Sequence, residues 1–146
     1  MSNAEIIEAC RLAYSGYEEN KREPLIALLD ENAVFEFPRS LPYGGTCNGL
    51  EEFKAFWTLL YTEYYDHFDY DAHAVIDGGD YVIVPVKARA KAKNGKTMDN
   101  EHCFLFKVEN GKIVYARIYA DTAKGRDVIA GREPKQFPKP DLSVII

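Results

Sequence analysis

The sequence has no excess of positive charge: 18 Lys and Arg stand against 23 Asp and Glu, for a formal net charge of −5. A nucleic-acid or anionic-membrane surface needs a basic footprint, so neither partner is expected. No apolar run approaches the length of a membrane-spanning helix. The opening Met1-Ser2-Asn3-Ala4-Glu5 has no basic segment leading into an apolar one, so no signal peptide is expected. Cysteine is scarce. Cys10, Cys47 and Cys103 are odd in number, form no Cys-x-x-Cys and fit no zinc spacing, which points to reduced thiols in a cytoplasmic protein. His67, His73 and His102 lie far apart with no two-His-plus-carboxylate spacing, so no metal is expected. There is no Gly-rich phosphate loop either; Gly44-Gly45 and Gly78-Gly79 are turn chemistry.

What is abundant is aromatic. Ten Tyr, eight Phe and one Trp fall within 146 residues, a length that suits one domain. So many rings in a small domain predict either a dense core or an aromatic-lined cavity.

Ser2 and Glu5 read as a capping box opening a helix to about Asn20, with Ile6, Cys10, Ala13, Tyr14 and Tyr17 on one face. Lys21-Arg22-Glu23 reads as a polar link, and Pro24 suits the first turn of a short helix from Leu25 to Asp30. Ala33 to Phe37 is a short strand stopped by Pro38, and residues 38–49 form a Pro- and Gly-rich loop. Asn48 can cap a third helix through about Tyr65, with Phe53, Phe56, Trp57, Leu60, Tyr61 and Tyr64 on its apolar face. After Asp66 the period falls to two. Phe68, Tyr70, Ala72, Ala74 and Ile76 alternate with polar residues, then Val82, Val84, Val86, Ala88, Ala90 and Ala92 do so after the turn at residues 77–80. Asn94-Gly95 and Asn110-Gly111 are hairpin signals, which together predict four strands in an antiparallel meander. The result is an α+β domain with three helices on one face of a curved sheet. Residues 1–124 carry this pattern. From Gly125 the chain reads as a tail: Pro134, Pro138 and Pro140 oppose a regular helix, and the apolar end needs cover on the domain or on a partner subunit.

The order of elements and several short motifs resemble the NTF2-like superfamily, in particular the SnoaL-like polyketide cyclases, the ketosteroid isomerases and the limonene-epoxide hydrolases. The matching pieces are Leu12-Ala13-Tyr14, residues 34–38 (Val-Phe-Glu-Phe-Pro), Gly49 to Phe53, and Phe104 to Ile113 through Asp121. The resemblance implies a cone-shaped, cystatin-like fold in which helices and a curved antiparallel sheet enclose an apolar pocket. It also implies where acid–base groups would sit. Phe37 stands where isomerases carry their general base, and Glu36 beside it points to the other face of the strand. Ile118 stands near the last-strand aspartate of the cyclases, and Lys87, Pro85 and Ile118 stand where the hydrolases carry their Asp-Arg-Asp set. Tyr14 keeps the tyrosine donor of helix one, and His102 takes the place of a protonated acid donor, in the pattern Asn100-Glu101-His102.

His102 alternates with Phe104 and Phe106 and so faces inward, where a neutral imidazole could move a proton; the bland alternative is a core histidine bonded locally. Tyr14 could stabilise an oxyanion, or simply pack. Phe35, Phe37, Trp57, Tyr61, Asn100, Phe104, Ala116 and Ile118 are the expected pocket lining, and the small Ala116 favours an open cavity over a filled core. Three functions compete. The first is a cofactor-independent isomerase, cyclase or lyase acting on an apolar carbonyl compound through His102 and Tyr14. The second is a non-catalytic domain binding an apolar small ligand. The third is an interaction module with its pocket filled by its own rings. The convex sheet face, with Cys103, Leu105, Tyr115 and Tyr119 of one parity, is expected to pair in a homodimer.

Overall fold

The structure, a computed structural model, describes residues 2–16 and 21–132. In chain order the elements are α1 (Ala4–Ala13), α2 (Glu23–Ile26), β1 (Leu29–Phe37), β2 (Gly45–Asn48), α3 (Leu50–Leu59), β3 (Tyr65–Ala72), β4 (Ile76–Asp77), β5 (Tyr81–Ala92), β6 (Thr97–Glu109), β7 (Lys112–Ala120) and α4 (Thr122–Ala130). One π-helical turn, Leu60–Tyr64, joins α3 to β3.

The sheet runs β2-β1-β7-β6-β5-β3, with β4 also paired to β5. Its long strands follow the alternation in the sequence. Val82, Val84, Val86, Ala88, Ala90 and Ala92 of β5 are all essentially buried, and so are Met98, Asn100, His102, Phe104 and Phe106 of β6. Irregular register between Tyr65 and His67, and between Lys107 and Val108, bends the strands into a curved, unclosed sheet.

The path of the chain puts α3 inside that curve. It starts directly after β2 at one edge and leads through the π turn into β3 at the other edge, so it has to cross the sheet. Its rings confirm which face it crosses: Phe53 stacks on Phe35 of β1 at 4.0 Å, and Trp57 meets Phe68 of β3 edge-on at 6.3 Å. The first helix is tied down at both ends. The Asn3 amide donates to Asp77 Oδ1 at 2.8 Å and to the Gly79 carbonyl, and the Tyr14 carbonyl accepts from Ala72 N at 2.8 Å.

Several boundaries differ from the sequence reading. The first helix ends at Ala13, because Tyr14 and Ser15 are drawn into pairing with β3 at Asp71 and Ala72; residues 17–20 lie outside the described residues. The second helix is one turn, since Leu29 already belongs to β1. The loop of residues 38–49 contains β2, which pairs antiparallel with β1. The meander is antiparallel as expected, but β1 joins it parallel to β7. The third helix begins after Gly49, whose φ of 91° suits glycine, and not on an Asn48 side-chain cap. Thr122–Ala130 is helical: the Asp121 carboxylate accepts from Lys124 N, Gly131 ends α4 in the left-handed region, and the Asn94 amide donates to the Val128 carbonyl. Residues 125–130 are thus regular helix; the three prolines and the apolar end lie outside the described residues. Among the described residues no helix is long and apolar enough to cross a membrane.

Candidate ligand-binding site

Between α1, α2, α3 and the inner face of the sheet lies a cavity of about 420 Å³. Its floor is β-sheet: Phe35 and Phe37 of β1, Phe104 and Phe106 of β6, Ala116 and Ile118 of β7. Phe53 and Trp57 of α3 form one wall, and Tyr14 and Tyr70 another. The mouth opens between the α2 segment and α3, where Arg22, Ile26, Lys54, Thr58 and Tyr61 also line it. Ala116 is 1% exposed, and its methyl group leaves room that a larger side chain would occupy.

Most of the expected lining is therefore brought together: Phe35, Phe37, Trp57, Tyr61, Phe104, Ala116, Ile118 and Tyr14 all face one space. Two expected members are not there. The Asn100 side chain is a fastener: its amide donates to the Asp121 carbonyl at 3.0 Å and its oxygen accepts from Glu101 N at 2.8 Å, which ties β6 to the start of α4. His102 lines a separate void of about 20 Å³, with Tyr43, Phe56, Leu60 and Ala120 among its neighbours. Phe37, Trp57, Tyr70 and Ile118 line both spaces, so the imidazole sits behind the wall of the main cavity. The shift has a physical reason. His102 alternates correctly on β6, but the Tyr70 ring, 5.7 Å away on the next-but-one strand, fills the space in front of it.

Sequence reasoning missed Tyr70, Arg22, Phe53 and Lys54 as lining. Tyr70 was legible in the alternation of β3. Arg22 was not: a cation in a polar link carries no pattern that says it folds inward. Its Nη2 donates to the Phe68 carbonyl and to Asp69 Oδ1, both at 2.9 Å, and its guanidinium lies 5.3 Å from the Trp57 ring and 5.8 Å from Tyr70.

The electrostatics are one-sided. Arg22 and Lys54 are charged, and no Asp or Glu lines the cavity among the described residues. Phe37 and Ile118 are apolar and in the wall. Glu36 turns away, as expected, and accepts from Thr46 Oγ1 at 2.9 Å. Burial raises the Tyr14 and Tyr70 hydroxyls well above the ordinary tyrosine range, so both remain neutral donors. Neither hydroxyl has a hydrogen-bond partner among the described residues. Burial lowers His102 to about 4, with the nearby Glu101 charge opposing; its Nδ1 is buried without a partner among the described residues. No group of His, Cys, Asp and Glu among the described residues could hold a metal ion.

The pattern of the SnoaL-like domain family matches residues 11–116. The chain belongs to that family. Solved structures agree on the fold. An NTF2-like protein of unknown function from Burkholderia pseudomallei is 25% identical, with a TM-score of 0.76 over 88% of this chain and 98% of that one. TerC, crystallised with polyporic acid, is 20% identical, with a TM-score of 0.74 over 86% and 98%. A putative SnoaL-like polyketide cyclase from Jannaschia sp. is 17% identical, with a TM-score of 0.70 over 89% and 94%. No protein of curated function matches in sequence. This SnoaL-like domain thus has an NTF2-like fold, with a curved, unclosed sheet and an aromatic-lined cavity on its inner face.

The depressed histidine makes a testable contribution to stability. Above pH 6.5 the imidazole is neutral in both folded and unfolded chains. As pH falls below that, the unfolded chain takes up the proton and the folded one does not, so stability is lost until the folded group also titrates near 4. The loss over that window amounts to about 3 kcal/mol. Urea unfolding of His102→Gln and of the wild type between pH 7.5 and 4.5 should diverge by this amount, the wild type losing more; parallel curves would show that His102 is not buried neutral.

Proposed function

We propose that this SnoaL-like domain binds an apolar small molecule in the cavity between its helices and its sheet. The observation that carries the reading is the cavity itself: about 420 Å³, walled mainly by apolar side chains and open at one end, within the size range of small-molecule sites. A domain whose rings served only to fill its core would have closed this space. The flat walls suit a planar ligand, since Phe35, Phe53 and Phe37 lie nearly parallel, with interplanar angles of 9° and 8° along the series. The neutral probe N-phenyl-1-naphthylamine should bind with enhanced emission. Ala116→Phe, which pushes a ring into the floor, should weaken that binding at least tenfold while leaving the circular dichroism spectrum intact. Unchanged binding in this variant would place the probe elsewhere.

A second reading, proton transfer on a carbonyl-bearing substrate, is favoured by one observation. Tyr14 lines the cavity with a neutral hydroxyl that has no hydrogen-bond partner among the described residues, the arrangement that stabilises a developing oxyanion. His102 would be the acid–base group, reaching the substrate only through the wall at Tyr70. An isomerase, cyclase or lyase of this kind needs no cofactor. In a turnover screen of planar ketones and enols, any activity found should fall about 10²-fold in Tyr14→Phe and vanish in His102→Ala; activity that survives both would remove this mechanism and leave the binding reading.

The convex face of the sheet supports pairing of two copies. Tyr119 is 51% exposed there, across from Cys103 in the ladder, and Leu105 lies two residues on, half-buried. A second copy laid on this face would cover the apolar row of β5, β6 and β7. Light scattering at tens of micromolar should give twice the chain mass, and a monomer would count against the pairing.

A further inference from the structure

We infer that the cavity takes its ligand as an anion: a planar aromatic or polycyclic body inside, with one anionic oxygen group, a carboxylate or ionised enol, held at Arg22. The inference rests on the binding reading above and names the ligand class for the same site.

The charge distribution points this way. In a chain where acids outnumber bases 23 to 18, both charged residues of the lining are cations. Lys54 is exposed at the mouth on α3 and has no ion-pair partner among the described residues. Arg22 is deeper, its side chain 27% exposed. A guanidinium offers five N–H donors in a rigid fork. Here Nη2 serves the Phe68 carbonyl and Asp69, while Nη1 has only a 3.5 Å contact with the Tyr61 hydroxyl, and Nε has no partner among the described residues. The Tyr61 hydroxyl gives its own proton to the Phe68 carbonyl at 2.9 Å, so it competes little for an incoming oxygen. Asp69 is itself shared, its other oxygen lying 2.8 Å from His67 Nε2, and it engages only Nη2 of the guanidinium.

The rest of the wall offers donors and few acceptors. The Tyr14 and Tyr70 hydroxyls are unpartnered among the described residues, and each feels the Arg22 charge. A neutral amide would find only hydroxyl oxygens, and no carboxylate, among the lining side chains to accept its N–H groups. A carboxylate would find a guanidinium edge, phenol donors and an ammonium at the mouth, in surroundings where charge-assisted hydrogen bonds are strong. The Trp57 ring beside Arg22 also keeps the cation over an aromatic face, and its other neighbour is Phe53, met edge-on and stacked in turn on Phe35, the rings that would receive a flat body.

The matched pair 2-naphthoate and 2-naphthamide tests this by isothermal titration calorimetry at pH 7.5. The wild type should bind naphthoate at least tenfold tighter than the amide. Arg22→Met should bring the two within a factor of about two, and Lys54→Met should reduce the preference by a smaller factor. Should Arg22→Met fold poorly, Asp69→Asn tests the same point with the opposite sign: freeing the guanidinium should tighten naphthoate several-fold and leave the amide unchanged. Equal affinity of the two probes in the wild type, or a preference that survives Arg22→Met, would overturn the anion inference while binding of the neutral naphthylamine kept the pocket reading intact. If that neutral probe and both naphthyl probes fail to bind folded protein, the pocket reading falls and this inference falls with it.

Discussion

The inner face of the sheet is organised about one ring. Tyr70 of β3 meets Tyr14 at the end of α1 edge-on at 5.8 Å, Phe104 of β6 edge-on at 4.9 Å and Trp57 of α3 edge-on at 6.5 Å, with the tilted His102 ring at 5.7 Å and the Arg22 guanidinium at 5.8 Å. Edge-to-face contacts of this kind fix both distance and tilt, because the positive rim of one ring seeks the negative face of another. The ring therefore acts as a spacer between α1, α3 and the sheet. It also divides the interior, with the main cavity and Arg22 on one side and His102 on the other. The division decides which polar groups a ligand can meet, and it follows from the size of one side chain.

Three groups of the cavity wall, Tyr14, Tyr70 and Arg22, share a property that their types alone do not suggest. Each is held more firmly in its protonated state than an exposed group of its type. Burial keeps Tyr14 and Tyr70 protonated, burial pushes the Cys10 thiol beneath them up to about 12, and Arg22 is raised further by its hydroxyl and carboxylate neighbours despite the opposing cost of burial. The one group whose ordinary value lies near neutrality, His102, is held neutral by burial behind the wall. These three groups keep the same charge and the same donors at any physiological pH. That suits selective binding. Acid–base turnover would require a proton to pass between a buried imidazole and a substrate on the far side of Tyr70.

The sequence showed the meander and its inward alternation because period-two patterning and Asn-Gly turns are local signals. It showed most of the aromatic lining because those residues lie on the same faces. What it hid depends on pairing between distant segments. The first helix stops at Ala13 because Ala72 N and Asp71 recruit the backbone of Tyr14 and Ser15, and no residue near position 14 announces that. β2 is four residues held by one neighbour, and its turn-rich composition reads as loop. α4 was masked by the prolines after it, although Asp121 before the helix and Gly131 after it are ordinary start and stop signals. Inward parity correctly turned His102 toward the core, but parity says nothing about which cavity a side chain reaches once a larger ring stands in front of it. Arg22 entered the site through a carbonyl and a carboxylate on β3, contacts that lie 46 and 47 residues away in sequence.

The size of the cavity constrains what it can be for. A sealed, dry void of about 420 Å³ would cost about 10 kcal/mol at the per-volume penalty seen for core cavities. The whole folding stability of a domain this size is only about 5–15 kcal/mol. The space is therefore tolerable only because its mouth is open and its contents can exchange with solvent. Water inside meets rings on most sides and few partners for its hydrogen bonds, so displacing it with an apolar body is favourable. The mouth residues reflect the same compromise. Ile26 and Tyr61 stay 37% and 36% exposed. The open mouth, the small Ala116 in the floor and the cations at the rim together make a site that gives up packing stability to keep room for a ligand.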